Sequence, residues 1–121
     1  MMVSTGIDLV EVKRIQRSVE RYGVRFLNRI YTERELAYCS GRADRLAARF
    51  AVKEAVGKAL GTGIGDIGWK DIEVVNDAQG RPTLVLHSAA EALAGHLSFT
   101  QWSISISHTD THAIGMVVAY S

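Results

Sequence analysis

Arg49-Phe50-Ala51-Val52-Lys53-Glu54-Ala55-Val56-Gly57-Lys58-Ala59-Leu60 is the stretch that decides the fold. Leu46, Phe50, Val56 and Leu60 recur at helical spacing and predict an apolar stripe on one long helix. Asp44 is the expected N-cap, and the helix is expected to end near Leu60, at Gly61 and Gly63. Glu54 and Lys58 stand one turn apart, with small Ala47, Ala51 and Gly61 along their side. Such neighbours let a bulky ligand approach the helix. By themselves, Glu54 and Lys58 read as a surface ion pair at i,i+4 spacing.

Upstream, Val3–Asp8 reads as a strand and the residues from about Glu11 as an amphipathic helix, with Val12, Ile15, Val19 and Tyr22 facing the core. Gly23 should break it. Thr32-Glu33-Arg34-Glu35 fits a capping box that opens a short helix to about Ser40. Downstream, Asp71–Val75 and Pro82–Leu86 read as strands joined by the turn residues Asp77-Ala78-Gln79-Gly80. Ser88–Leu97 reads as a helix. Trp102–His108 alternates apolar residues with Ser103, Ser105 and Ser107, and Ala113–Ala119 returns as an apolar strand. The order predicts an α+β fold, an antiparallel sheet packed with one long helix and shorter ones, in a single domain over residues 1–121.

The bulk numbers restrict the function classes. Of 121 residues, 47% are hydrophobic and 22% charged, a globular balance rather than a disordered one. No apolar run approaches a membrane span, no signal-peptide pattern opens the chain, and the lone Cys39 has no disulfide partner, so a cytoplasmic home is expected. Cys39 has no electropositive neighbour in sequence and reads as a bystander. The net charge of +1 hides a segregation: residues 11–49 hold ten Lys and Arg against five acids, a local +5, while the remainder holds four against eight, −4. A basic stripe that includes Arg14, Arg17 and Arg21 suggests an acidic partner, or else a solvated face.

Asp8 sits in Gly6-Ile7-Asp8-Leu9-Val10-Glu11, where it reads either as the cap of the first helix or as a carboxylate that meets Glu54. Two carboxylates beside phosphate oxygens suit magnesium, and Lys58 then supplies a compact cation for phosphate. That is machinery for phosphoryl chemistry, where positioning and charge neutralisation dominate. His108 closes a strand, where its ring can leave the core. His87, His96 and His112 show no zinc-type spacing.

Taken in order, these pieces resemble the holo-acyl-carrier-protein synthase group of phosphopantetheinyl transferases over nearly the whole chain. The resemblance rests on Gly6–Glu11 with Arg14-Ile15, Phe26-Leu27, Thr32–Glu35, Arg49–Ala55 with Lys58-Ala59, Gly61-Thr62-Gly63-Ile64-Gly65, Asp71–Val74, Gly80-Arg81-Pro82 and Ser105–Thr109. It implies that Asp8 and Glu54 hold magnesium and that Lys58 contacts the coenzyme A pyrophosphate. It further implies that Arg49 and His108 bind coenzyme A phosphates and that Gly63 and Pro82 shape the nucleotide wall. Arg14, with Arg17 and Arg21, is implied to dock the acidic helix of an apo-acyl carrier protein. The reaction implied is attack of a carrier serine on coenzyme A in support of fatty acid biosynthesis, with Glu54 or a metal-bound water as base. The family also implies homotrimers with active sites between subunits. His112–Gly115 departs from an aromatic and alanines common at that strand, and Arg81 stands where lysine is common. Two other classes compete. One is a basic nucleic-acid-binding module, although aromatic-basic interleaving is absent; the other is a different magnesium-dependent phosphoryl enzyme, although no Walker-type loop is present.

Overall fold

The computed structural model describes residues 1–121. The chain runs β1 (Val3–Glu11), α1 (Val12–Tyr22), α2 (Val24–Ile30), α3 (Glu33–Cys39), α4 (Ala43–Leu60), a single 3-10 turn (Trp69–Asp71), β2 (Ile72–Asn76), β3 (Pro82–Leu86), α5 (Ser88–His96), β4 (Gln101–His108) and β5 (His112–Tyr120). β5 is the centre of a three-stranded antiparallel sheet in the order β1-β5-β4, and β2-β3 is a separate antiparallel hairpin. The fold is α+β, as the element order predicts.

Helix α4 is the axle. Thirteen of its 18 residues are buried, because it is covered on several sides rather than along one stripe. On one side it lies against β1 and β5. This approach needs two glycines: a Cβ on Gly6 would stand 1.8 Å from the Ala55 carbonyl oxygen, and one on Gly115 would stand 2.6 Å from the Val52 nitrogen. Small Ala51, Ala55 and Ala59 complete the contact, and Ser4 Oγ donates to the Ala59 carbonyl at 2.7 Å. On its other sides α4 meets two apolar cores. Val52, Val56 and Leu60 join Ile72, Val74, Ala90 and Val117. Leu46 and Phe50 join Ile15, Ile30 and Tyr31.

Several local expectations need correction. β1 continues to Glu11, so Asp8 lies inside the strand, opposite Gly115, and is not the cap of α1. The first helix is capped by Glu11 without a side-chain bond. Arg42, not Asp44, stands at the N-cap of α4, and Asp44 in its first turn accepts from Arg42 at 2.9 Å. Tyr22 is 52% exposed instead of facing the core. The capping box at Thr32 forms as expected, with both reciprocal bonds present.

Candidate active site

The close packing of β1 on α4 carries Asp8 to the exposed edge of the helix. Lys58 Nζ lies 3.1 Å from Asp8 Oδ1 and also donates to the Ile7 carbonyl at 2.9 Å. The Lys58 side chain is 54% exposed and that of Asp8 19%. Lys58 therefore pairs with Asp8 rather than with Glu54, and the simple i,i+4 pair is not what forms. Glu54 is half-buried, one turn before Lys58. Burial raises its carboxyl pKa above the ordinary range, and the Asp8 charge adds to the rise; Arg14 and Lys58 oppose it. The two carboxylates thus share one small region with a lysine ammonium. They offer hard oxygen donors of the kind magnesium takes when water and phosphate supply the rest. No cluster of three or more His, Cys, Asp or Glu side chains is poised around a metal position.

Arg14 is exposed, with its guanidinium 5.4 Å from the centre of the Phe50 ring, and so lies between the outer face of α1 and Glu54. Arg17 pairs weakly with Glu11 at 3.8 Å, and Arg21 lies over Tyr22. Arg14, Arg17 and Arg21 line one shallow depression with Ser18 and Tyr22, and Arg25 and Arg29 extend it past Phe26.

The other predicted site residues fall elsewhere. Pro82 and Arg81 line a cleft of about 680 Å³ between β3 and β4, whose far wall is Trp102–Ile106. His108 is exposed at the end of β4, close enough to Asp44 for its charge to be felt there. β5 separates these groups from Asp8, which stands level with Ile106 across Gly115. Two strand spacings amount to roughly 10 Å. Gly63 is half-buried in the loop after α4 and packs against Gly57. Arg49 is only 3% exposed, donates to Asn76 Oδ1, lies 4.1 Å from the Tyr38 ring centre and leaves its Nε without a partner.

Sequence reasoning missed a polar network beneath the site. Lys53 and Glu35 are both 0% exposed and pair at 2.8 Å. Lys53 also donates to the carbonyls of Trp69 and Ile72, and Glu35 accepts from Val74 N at 3.0 Å. Burial pushes the Lys53 ammonium down and Glu35 pulls it back. Beside them, Glu73 accepts from Arg34 at 2.6 Å and Thr32 Oγ1 at 2.6 Å, and lies 3.0 Å from His87 Nε2. Burial alone would raise its pKa, but these hydrogen bonds outweigh it and bring the carboxyl to about 2. The available signal was Lys53 itself, a cation whose helix-face neighbours three and four residues away include Phe50, Val56 and Gly57 where a solvated face would carry more polar residues. Cys39 is fully buried, and burial pushes its thiol up to about 11, which suits a packed bystander.

A carboxylate on β1 facing a carboxylate and a lysine on α4, with the helix backed by an antiparallel sheet, fits a phosphoryl-type transferase. Residues 4–117 match the profile of the 4′-phosphopantetheinyl transferase superfamily, and the chain belongs to that family. It is 48% identical to the holo-[acyl-carrier-protein] synthase of Herpetosiphon aurantiacus, over 97% of this chain and 98% of that one. Among solved structures it is similar to the holo-[acyl-carrier-protein] synthase of Neisseria meningitidis, with a TM-score of 0.90 and 34% identity over 99% of this chain and 100% of that one. The Helicobacter pylori holo-[acyl-carrier-protein] synthase, solved in complex with coenzyme A, gives a TM-score of 0.88 at 32% identity over 96% and 99%.

Proposed function

We propose that this chain transfers 4′-phosphopantetheine from coenzyme A to a serine hydroxyl of an apo-acyl carrier protein, releasing adenosine 3′,5′-bisphosphate. The observation that carries the reading is the meeting of Asp8, Glu54 and Lys58 on the open side of α4, in a chain that matches the family over residues 4–117. The nucleic-acid and general phosphoryl-enzyme readings gain nothing from the comparisons.

Asp8 and Glu54 would hold magnesium, which when bound neutralises charge on the coenzyme A diphosphate. Lys58 is free to turn from Asp8 to phosphate oxygens, because more than half of its side chain is exposed. Glu54, next to Lys58 on the open side of α4, is the carboxylate this chain supplies as proton acceptor for the attacking serine, with a metal-bound water as the other candidate. His108 and Pro82 would meet the nucleotide end of coenzyme A, with Gly63 shaping the adjoining loop. Arg49 is buried against Asn76, so a direct phosphate contact would require it to leave that partner.

Arg14, Arg17 and Arg21 would receive an acidic carrier helix, with Tyr22 and Phe26 as the apolar part of the surface. A homotrimer accounts for two features at once. The outer face of the sheet exposes Val3, Ile7, Leu9 and Met116 at 41–63%, an apolar surface that a neighbouring copy would cover. Within one chain the carboxylate pair and the β3–β4 cleft lie at opposite edges of the sheet, and apposition of two copies would bring one edge of each together. No helix is long and apolar enough to cross a membrane, and we place the enzyme in the cytoplasm, in fatty acid biosynthesis.

The test is incubation with coenzyme A, magnesium and an apo-acyl carrier protein, read by mass spectrometry of the carrier. The expected product is a carrier heavier by one phosphopantetheine, dependent on magnesium and abolished by a chelator. An unmodified carrier, with nucleotide released or not, would reject the assignment.

A further inference from the structure

The network beneath the site has an order that its burial alone does not require. β2 is gripped at three alternate residues by side chains from the helices: Lys53 donates to the Ile72 carbonyl, Val74 N donates to Glu35, and Arg49 donates to Asn76. These residues pair across the hairpin with Leu86, Leu84 and Pro82. Leu84 and Pro82 belong to the wall of the 680 Å³ cleft. Asn76 in turn donates to the Gly80 carbonyl at 2.9 Å, closing the turn that leads into Arg81. Glu73, between the grips, is tied to Thr32 and Arg34 at the start of α3. Hydrophobic contacts hold β2 against α4 but fix no register, whereas directional bonds to Ile72, Val74 and Asn76 do.

We propose that Lys53, Glu35 and Arg49 are positioning residues that set the β2–β3 hairpin relative to α4 and so fix the width of the coenzyme A cleft. The inference rests on the functional reading above for the identity of the ligand. Arg49 thereby acts on the cleft through Asn76 and Pro82. If the hairpin held its place only about a tenth of the time without these bonds, apparent affinity for coenzyme A would fall about tenfold.

Two variants test this in the full chain. Asn76→Ala removes the outer grip at a half-buried position and leaves the Arg49 guanidinium without its acceptor. Lys53→Met with Glu35→Gln removes the buried charges together, leaving no unpaired ion. For each, hydrogen exchange is followed by mass spectrometry and coenzyme A binding by calorimetry with magnesium. The expected result is faster exchange confined to residues 72–86, an unchanged pattern over β1 and β5, and a Kd for coenzyme A raised about tenfold by the double variant and less by Asn76→Ala. The KM for the carrier should stay at the wild-type value. Wild-type coenzyme A affinity in a variant with a loosened hairpin overturns the proposal. So does exchange that rises uniformly over the chain, which marks a purely structural role. Should the double variant fail to fold, Asn76→Ala decides by the same criteria. A wild-type protein that binds no coenzyme A overturns the functional reading instead, and the exchange pattern still decides whether the grips hold the hairpin.

Discussion

Two lysines five residues apart on one helix make opposite kinds of ion pair. Lys53 meets Glu35 at 2.8 Å with both side chains fully buried; Lys58 meets Asp8 at 3.1 Å with 54% and 19% of the side chains exposed. The buried pair is saturated with partners, two carbonyls on the lysine and two backbone amides on the glutamate. It has no capacity left for a ligand. The open pair has solvent on the lysine, a second carboxylate beside it in Glu54, and only a modest stake in stability. Burial therefore decides which charges build the frame and which remain available for chemistry. Position along the helix, fixed by Gly6 and Gly115, decides where the available ones meet.

Breaking the frame should have the largest effect. Lys53→Met alone leaves Glu35 buried without its cation, and should cost about 3–5 kcal/mol in denaturant unfolding. The open pair should show the reverse profile. Asp8→Ala or Glu54→Ala should lower kcat about 100- to 1,000-fold, the scale of losing one preorganised charge-stabilising group, with a melting temperature close to wild type. Lys58→Ala sharpens the contrast: unfolding free energy should change by less than about 1 kcal/mol while turnover falls.

Smaller effects belong to the rim. Arg14→Ala should raise the KM for carrier about fivefold at low salt, a steering loss that shrinks as ionic strength screens exposed charge. Because Arg14 also lowers the Glu54 pKa, its removal should let that pKa rise further, so kcat should change along with KM. Thr32→Ala should cost about 1 kcal/mol as a lost cap, plus its bond to Glu73. Glu73 sets a pH signature for the frame. Its folded-state pKa is about 2, below the ordinary glutamate value, so its stabilisation is present above about pH 4.5 and is lost as pH falls toward 2. Glu73→Gln should flatten that acid limb in thermal melts.

Much of this was legible in the sequence, and the reason differs by element. The strands of alternating pattern, Trp102–His108 above all, follow from period two, and the capping box at Thr32 follows from local chemistry. Asp8 is legible as a candidate because a carboxylate closes an apolar run just before a helix. Its strand was read as ending there because the pairing partner, β5, lies over a hundred residues away and no local signal records it. Arg49 was read as a phosphate ligand from its family position, while its guanidinium lies buried against Asn76, 27 residues on. Glu35 was legible as a cap but not as the partner of Lys53, since both roles fall on one carboxylate and only the first is local. The +5 segment was legible as a surface property, whereas the nearness of Arg14 to Phe50 and Glu54 required the packing of α1 on α4.

The central claim is that the open charges, and not the buried ones, perform transfer. It is tested most directly by the rate at which Asp8→Asn modifies an apo-acyl carrier protein at saturating coenzyme A, carrier and magnesium, with thermal melting measured on the same sample. The account predicts a loss of at least about 100-fold in a protein that melts like wild type. Full activity in that variant, or a loss matched by unfolding, would contradict it.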